Sequence, residues 1–324
     1  MSNYYSGFAD QIKMFVEYRK ASGVWNEADY GLNLKYFDRF CAENFPDNNS
    51  LTQEMVDIWC SKRETELNKS CNKRTQAIRA FIKYLKERNM TDINIPKTLN
   101  NEPNSYFPHA FTHEELIRFF RECDNIKVRK GYHHQREIFK KITCPVFFRL
   151  LYSSGIRTTE ARFLRRQDVD LQNGVLDIQK SKGKDQHYVA LHETMTSLLR
   201  RYDKVLDSLL PDRTYFFERI LDGQLTKYWV SDNFKQLWIK ANGYNSRAIA
   251  YDLRHNYAIQ NINNWSIDGF EISDKLNYLS KSMGHRHFVS TTYYYSIVPR
   301  LVDTIKSKTE DGLNEIIPEV HYDE

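Results

Sequence analysis

The chain of 324 residues contains no CxxC pair, no apolar run of membrane length and no basic-then-apolar leader. Each absence excludes a class. A helical membrane span needs about 18 apolar residues, so an integral membrane protein is not expected. Without a leader pattern at MSNYYSGFADQ, export is not expected either, and a cytoplasmic location is. Five cysteines (Cys41, Cys60, Cys71, Cys123 and Cys144) are odd in number and widely spaced. Such spacing supports neither a disulfide framework nor a structural zinc site. No internal repeat or low-complexity segment occurs.

What is present is the composition of a globular protein, 41% apolar and 27% charged. The length favours two domains over a single core. Net charge is +5, but residues 309–324 hold six acidic side chains and no Lys or Arg. Without them the chain carries +5 + 6 = +11. A basic body with an acidic tail suits a polyanionic partner.

Residues 8–89 read as four helices. Phe8, Ile12, Phe15 and Val16 recur at helical spacing, and Leu32, Leu34, Tyr36, Phe37 and Phe40 do so less regularly. Thr52 ahead of Met55, Val56 and Trp59 suggests a capped third helix. In the fourth, residues 70–89, Ile78, Phe81, Ile82 and Leu85 form an apolar stripe. Lys69, Lys73, Arg74, Arg79, Lys83 and Lys86 supply charge that fits a solvated face or a DNA backbone equally well. Residues 91–108 carry Pro96, Pro103 and Pro108 and read as a linker, separating a domain at 1–90 from one at 109–306, with the acidic tail at 307–324.

Beyond the linker, Thr112 and Glu115 form a capping-box pattern opening a helix. A second helix covers roughly 138–153 and stops before Gly155, a residue suited to a left-handed helix end. Val175, Leu176 and Ile178, then SKGKDQ, then Tyr188, Val189 and Leu191 read as a hairpin with Lys182 and Lys184 in its turn. Leu198, Leu199, Tyr202, Val205 and Leu206 mark a further helix.

Three stretches carry chemistry: SSGIRTTEA (153–161), YDLRHNYA (251–258) and LSKSMGHRHFVSTTYYYSIVP (279–299). Together they offer two arginines to hold a phosphate, a histidine to share or move a proton, and a tyrosine hydroxyl as nucleophile. That set suits phosphoryl transfer with a covalent step and needs no metal.

These stretches resemble the tyrosine recombinase (phage integrase) family of site-specific DNA recombinases, over roughly 105–306 and more loosely in the N-terminal helices. Gly155-Ile156-Arg157-Thr158-Thr159-Glu160 matches the pattern around the family's first arginine. The resemblance implies that Arg157 contacts the scissile phosphate, with Glu160 behind it. Lys182, in a Lys-Gly turn before Val189-Ala190-Leu191, is the implied general acid for the departing 5′ oxygen, with Lys184 as the nearby alternative. In Tyr251-Asp252-Leu253-Arg254-His255 the resemblance makes Arg254 the second phosphate clamp. Tyr251 departs from the commoner His. A phenol can donate to a phosphate oxygen but is a poor base near neutral pH, which opens the question of the proton's path. Met283-Gly284-His285 matches the family's Leu-Gly-His and makes His285 a phosphate ligand. Tyr294 lies nine residues after His285 and three after Thr291, the spacing of the family nucleophile; counting from Thr292 gives Tyr295.

The implied fold is mainly α. It has an N-terminal helical (SAM-like) core-DNA-binding domain and an α-rich catalytic domain with a small antiparallel β-sheet. The implied activity is cleavage and rejoining of DNA through a 3′-phosphotyrosyl intermediate, in integration or excision of a mobile element. Implied partners are duplex DNA with specific recombination sites, three further copies in a homotetramer on two duplexes, and an accessory directionality factor. A non-cutting DNA-binding protein on the same fold and a type IB topoisomerase are the alternatives.

Overall fold

Four amphipathic helices build the first part of the chain: α1 (Ala9–Ala21), α2 (Leu32–Asn44), α3 (Gln53–Cys60) and α4 (Asn68–Lys86). The structure is a computed structural model. It describes residues 4–23, 25–102, 108–128, 131, 134–179, 186–219, 223–244, 247–263, 272–285, 289–292 and 294. The chain divides into two compact units between residues 106 and 107.

In the first unit, Ile12, Phe15, Leu34, Phe37, Met55, Val56, Ile78, Phe81, Ile82 and Leu85 form one core. The Thr52 hydroxyl accepts from the Met55 N–H at 3.3 Å, which starts α3. A π-helical turn at Glu27–Gly31 leads into α2, where Leu34, Phe37 and Cys41 share one face and are buried while Leu32 and Tyr36 lie exposed. The basic helix also differs from expectation. Arg74 turns inward, donating to Glu66 and to the Trp59 and Ser61 carbonyls. That ion pair holds the Glu66 carboxyl down at about 2. Lys69, Lys73, Gln76 and Lys83 remain exposed at helical spacing, with Lys73 paired to Asp29 at 3.0 Å. Within the stretch expected as a linker, residues 93–99 pack and hydrogen-bond onto this unit. Ile93 is buried in the core, and the Asn72 amide donates to the Leu99 carbonyl and accepts from its N–H, at 2.7 and 2.9 Å.

The second unit is built round α6 (His134–Ser154), which buries Phe139, Val146, Phe147, Phe148, Leu150 and Leu151. Helices α5 (His113–Asp124), α8 (Glu193–Leu209), α9 (Lys227–Asn242) and α10 (Asp252–Asn263) surround it. Thr112 and Glu115 make the reciprocal capping box at the start of α5. Phe119, Phe148, Phe234 and Trp238 form an aromatic stack through this core.

Between α6 and α8 lie the short α7 (Thr158–Phe163) and an antiparallel sheet of order β1 (Val169–Asp170), β2 (Val175–Ile178), β3 (His187–Ala190). Leu176 pairs with Val189 and Ile178 with His187, so Leu176, Ile178 and Val189 face the core. A two-residue pair, β4 (Glu218–Arg219) with β5 (Gly223–Gln224), precedes α9. After α10 come α11 (Ile272–Ser282) and the single turn α12 (Val289–Thr292). Ala258, Ile262, Leu279, Met283 and Tyr294 make a small separate core there.

Candidate active site

Two left-handed glycines set the site's backbone. Gly155 (φ +64°) ends α6, and Gly284 (φ +60°) ends the turn after α11. A side chain is excluded at each. A Cβ on Gly155 would lie 2.2 Å from the Tyr257 ring, and one on Gly284 would lie 2.5 Å from the His187 ring. Both glycines therefore bring their carbonyls where larger residues could not.

Those carbonyls hold the arginines. Arg254, on the first turn of α10 and only 1% exposed, donates from Nη1 to the Gly155 carbonyl at 2.6 Å and from Nη2 to the Met283 carbonyl at 2.7 Å. Arg157, at the start of α7, donates from Nη2 to the Gly284 carbonyl at 2.8 Å. Its Nη1 and its backbone N–H both donate to Glu160, at 2.5 and 2.8 Å, and Glu160 is itself buried. Glu160 thus offsets the charge of Arg157, while Arg254 makes no ion pair among the described residues. Burial first, and then the Arg157 charge, push the proton affinity of Arg254 down. Its Nε is buried with no hydrogen-bond partner among the described residues. The Arg254 guanidinium is thus a buried positive charge with no carboxylate against it among the described residues, a setting that favours a bound anion.

His285 closes the group. Arg254 Nη2 donates to its Nε2 at 2.9 Å, and its Nδ1 lies 2.7 Å from Thr291 Oγ1. A guanidinium has only donors, so Nε2 carries the lone pair and Nδ1–H donates to Thr291. Burial, then the charges of Arg254 and Arg157, push the imidazole down to about 3, so it is neutral at neutral pH. The Tyr294 ring, 3% exposed, stacks on His285 at 6.2 Å between centroids and lies 5.6 Å from His255. Tyr251, 37% exposed, packs edge-on against His255 at 5.1 Å.

Arg157, Glu160, Arg254, His285 and Tyr294, from three separate stretches of sequence, therefore meet in one place, with Tyr251 on the solvent side of His255. Lys182, Lys184 and Tyr295 lie outside the described residues. Several contributors carry no side-chain signal in the sequence: the carbonyls of Gly155, Met283 and Gly284. Their only trace is the two glycines. Thr291 holds His285 Nδ1, a function that its spacing to Tyr294 does not by itself disclose.

The sequence model of the phage integrase family matches residues 110–299, more than half of the chain. The protein y4rB of Sinorhizobium fredii, named an integrase/recombinase, is 24% identical over 317 residues, covering 94% of this chain and 98% of its own. Tyrosine recombinase XerC of Oceanobacillus iheyensis is 24% identical over 300 residues, covering 87% and 90%. Another S. fredii protein, y4rE, is 30% identical, but over 47% of this chain and 50% of its own. Among solved structures, XerH site-specific recombinase bound to palindromic difH substrate shares the fold, with a TM-score of 0.60 at 17% identity, covering 90% of this chain and 82% of its own. The mostly helical architecture, the small antiparallel sheet and the matched residues agree: the chain belongs to the phage integrase family of tyrosine recombinases.

Proposed function

We propose that this chain is a site-specific recombinase that cuts and rejoins duplex DNA through a 3′-phosphotyrosyl intermediate on Tyr294. The observation that carries the reading is the convergence of Arg157 with Arg254, which is buried and without a carboxylate partner among the described residues, beside a tyrosine three residues after the threonine that holds His285.

Each residue then has a chemical task. Arg157 and Arg254 hold the non-bridging oxygens of the scissile phosphate and offset the charge that builds in the pentavalent transition state. Glu160 keeps Arg157 aimed. His285 keeps Arg254 Nη2 in place through its Nε2 lone pair, and the phosphate becomes its further neighbour. Lys182 protonates the departing 5′ oxygen. The phosphotyrosine bond stores the energy of the broken diester, so rejoining needs no external supply. Exchange between two duplexes requires two cuts in each, hence four protomers. The relatives named integrase/recombinase favour integration or excision of a mobile element over other uses of the same chemistry. In the first unit, the exposed row Lys69, Lys73, Gln76 and Lys83 is the surface suited to the DNA backbone.

The test is covalent trapping. Duplexes that the full chain selects from a random-sequence library are nicked near the cleavage point, so the 5′ fragment diffuses away and the adduct persists. An adduct on the peptide containing Tyr294 is expected, and Tyr294→Phe should abolish it while leaving DNA affinity nearly unchanged. An adduct on Tyr295 would move the nucleophile by one residue. Specific binding without any adduct would make the chain a non-cutting member of its fold.

A further inference from the structure

As its oxygen bonds to phosphorus, Tyr294 must lose its phenolic proton, and the departing oxygen of the DNA cannot be the first acceptor for it. Among the described residues, two imidazoles, His285 and His255, lie against the Tyr294 ring, and Tyr251 lies beyond the second of them. His285 stacks on the Tyr294 ring, but both nitrogens are committed, Nε2 to Arg254 and Nδ1–H to Thr291. Tyr251 is itself a phenol, and its ring meets His255 rather than standing as a base of its own. His255 remains. Its ring lies 5.6 Å from the Tyr294 ring, and its Nδ1 is buried with no hydrogen-bond partner among the described residues.

A buried, partnerless nitrogen in a folded protein calls for a reason. Burial holds this imidazole neutral, so one nitrogen carries a proton and the other a lone pair. Leaving the lone pair at the partnerless Nδ1 avoids burying an orphan N–H. The ring next to the nucleophile thus presents an unused acceptor.

We propose that His255 Nδ1 accepts the Tyr294 proton during strand cleavage, taking the task for which Tyr251 is unsuited. This rests on the recombinase reading above. As the Oη–P bond forms, the phenolic proton passes to Nδ1 and the P–O5′ bond breaks. The 5′ oxygen leaves with its electron pair and takes a proton from Lys182. Rejoining reverses both transfers: the 5′ hydroxyl returns its proton to the lysine, and His255 returns its own to the phenolate. The charged and titratable groups facing His255 among the described residues are Tyr251 just before α10, Asp252 and Arg254 in α10, and Tyr294 and His285 from the C-terminal segment. Asp252 favours protonation of the ring and Arg254 opposes it. A bound phosphate adds negative charge beside them and makes His255 a better base when substrate is present.

Single-turnover cleavage of the nicked duplexes tests this with the full chain. His255→Ala and His255→Gln should each cut about a hundredfold or more slowly, the usual scale for losing a general base, with DNA affinity kept. Glutamine fills the space and hydrogen-bonds but cannot take the proton. Added imidazole should speed His255→Ala and leave wild type unchanged. The acid limb of the wild-type pH–rate profile should vanish in His255→Gln. If His255→Gln cuts at close to the wild-type rate with the same pH profile, His255 is a packing residue and the proposal falls alone. If the wild-type chain binds DNA and forms no adduct, the recombinase reading falls and takes this step with it.

Discussion

At the scale of single residues, the site is a problem in placing positive charge. Arg254 is the extreme case, a guanidinium 1% exposed with no ion pair among the described residues. Leaving a cation so buried is costly, and the structure meets part of that cost with the carbonyls of Gly155 and Met283 and the His285 lone pair. Arg254→Lys is therefore not conservative. An ammonium is a point charge without the guanidinium's fork, and it cannot reach two carbonyls, one imidazole and a phosphate together. Cleavage by Arg254→Lys should fall about a hundredfold or more, the scale for losing a transition-state charge contact, while binding to intact duplex changes far less. Equal losses in cleavage and binding would mean that Arg254 serves ground-state affinity instead. The side chains of this group were legible in the sequence because Arg157, Arg254, His285 and Tyr294 match the motifs of the family it resembles, residue by residue. Their acceptors were not. The Arg254–Gly155 and Arg157–Gly284 contacts join residues 99 and 127 positions apart through backbone oxygen, which every residue type possesses.

At the scale of elements, local signals were readable and non-local ones were not. Thr112 with Glu115, and Thr52 with Met55, are caps made within one turn, so three residues of sequence suffice to find them. The β2–β3 hairpin is likewise a neighbour pairing. The inward turn of Arg74 depends on Glu66, eight residues away across the α3–α4 connection, and no helical periodicity reports it. In α2 the apolar residues lie on more than one face, and only packing against the rest of the unit decides that Leu34 and Phe37 are buried while Leu32 and Tyr36 stay exposed. Two helix ends allow a matched test of how an element's terminus serves the site. Gly155 ends α6 at φ +64° against the Tyr257 ring, whereas Gly243 ends α9 at φ +80°, and a methyl added there would meet nothing within 4 Å. Gly243→Ala should cost only the backbone strain of a side chain held at φ +80° and ψ −176°, about 1–3 kcal/mol in urea unfolding. Gly155→Ala should cost more, because the methyl also collides with Tyr257. It should slow cleavage besides, since the carbonyl that holds Arg254 Nη1 moves with it. Similar stability losses for the two variants would show that Tyr257 yields to the methyl.

At the scale of the whole molecule, charge is divided along the chain rather than spread over it. Residues 309–324 carry six acidic groups, so the remainder holds +11 where the full chain holds +5. Long-range attraction to a polyanion follows net charge, whereas the number of counterions released follows the contacts that Lys and Arg make with phosphates. Deleting residues 309–324 separates the two effects. If the acidic segment acts through its charge alone, its loss should tighten binding to random-sequence duplex at low salt. It should also leave the slope of log affinity against log salt nearly unchanged, because no phosphate contact is added. The advantage should fade as the Debye length shrinks, from about 10 Å at 0.1 M to about 3 Å at 1 M. A steeper slope would mean that the segment covers lysines or arginines that then reach phosphate, competing with DNA for a particular surface. Adduct formation separates a third case. Cleavage that falls in the deletion, while binding is kept, would place the segment in support of the Tyr294 site rather than in the control of DNA affinity.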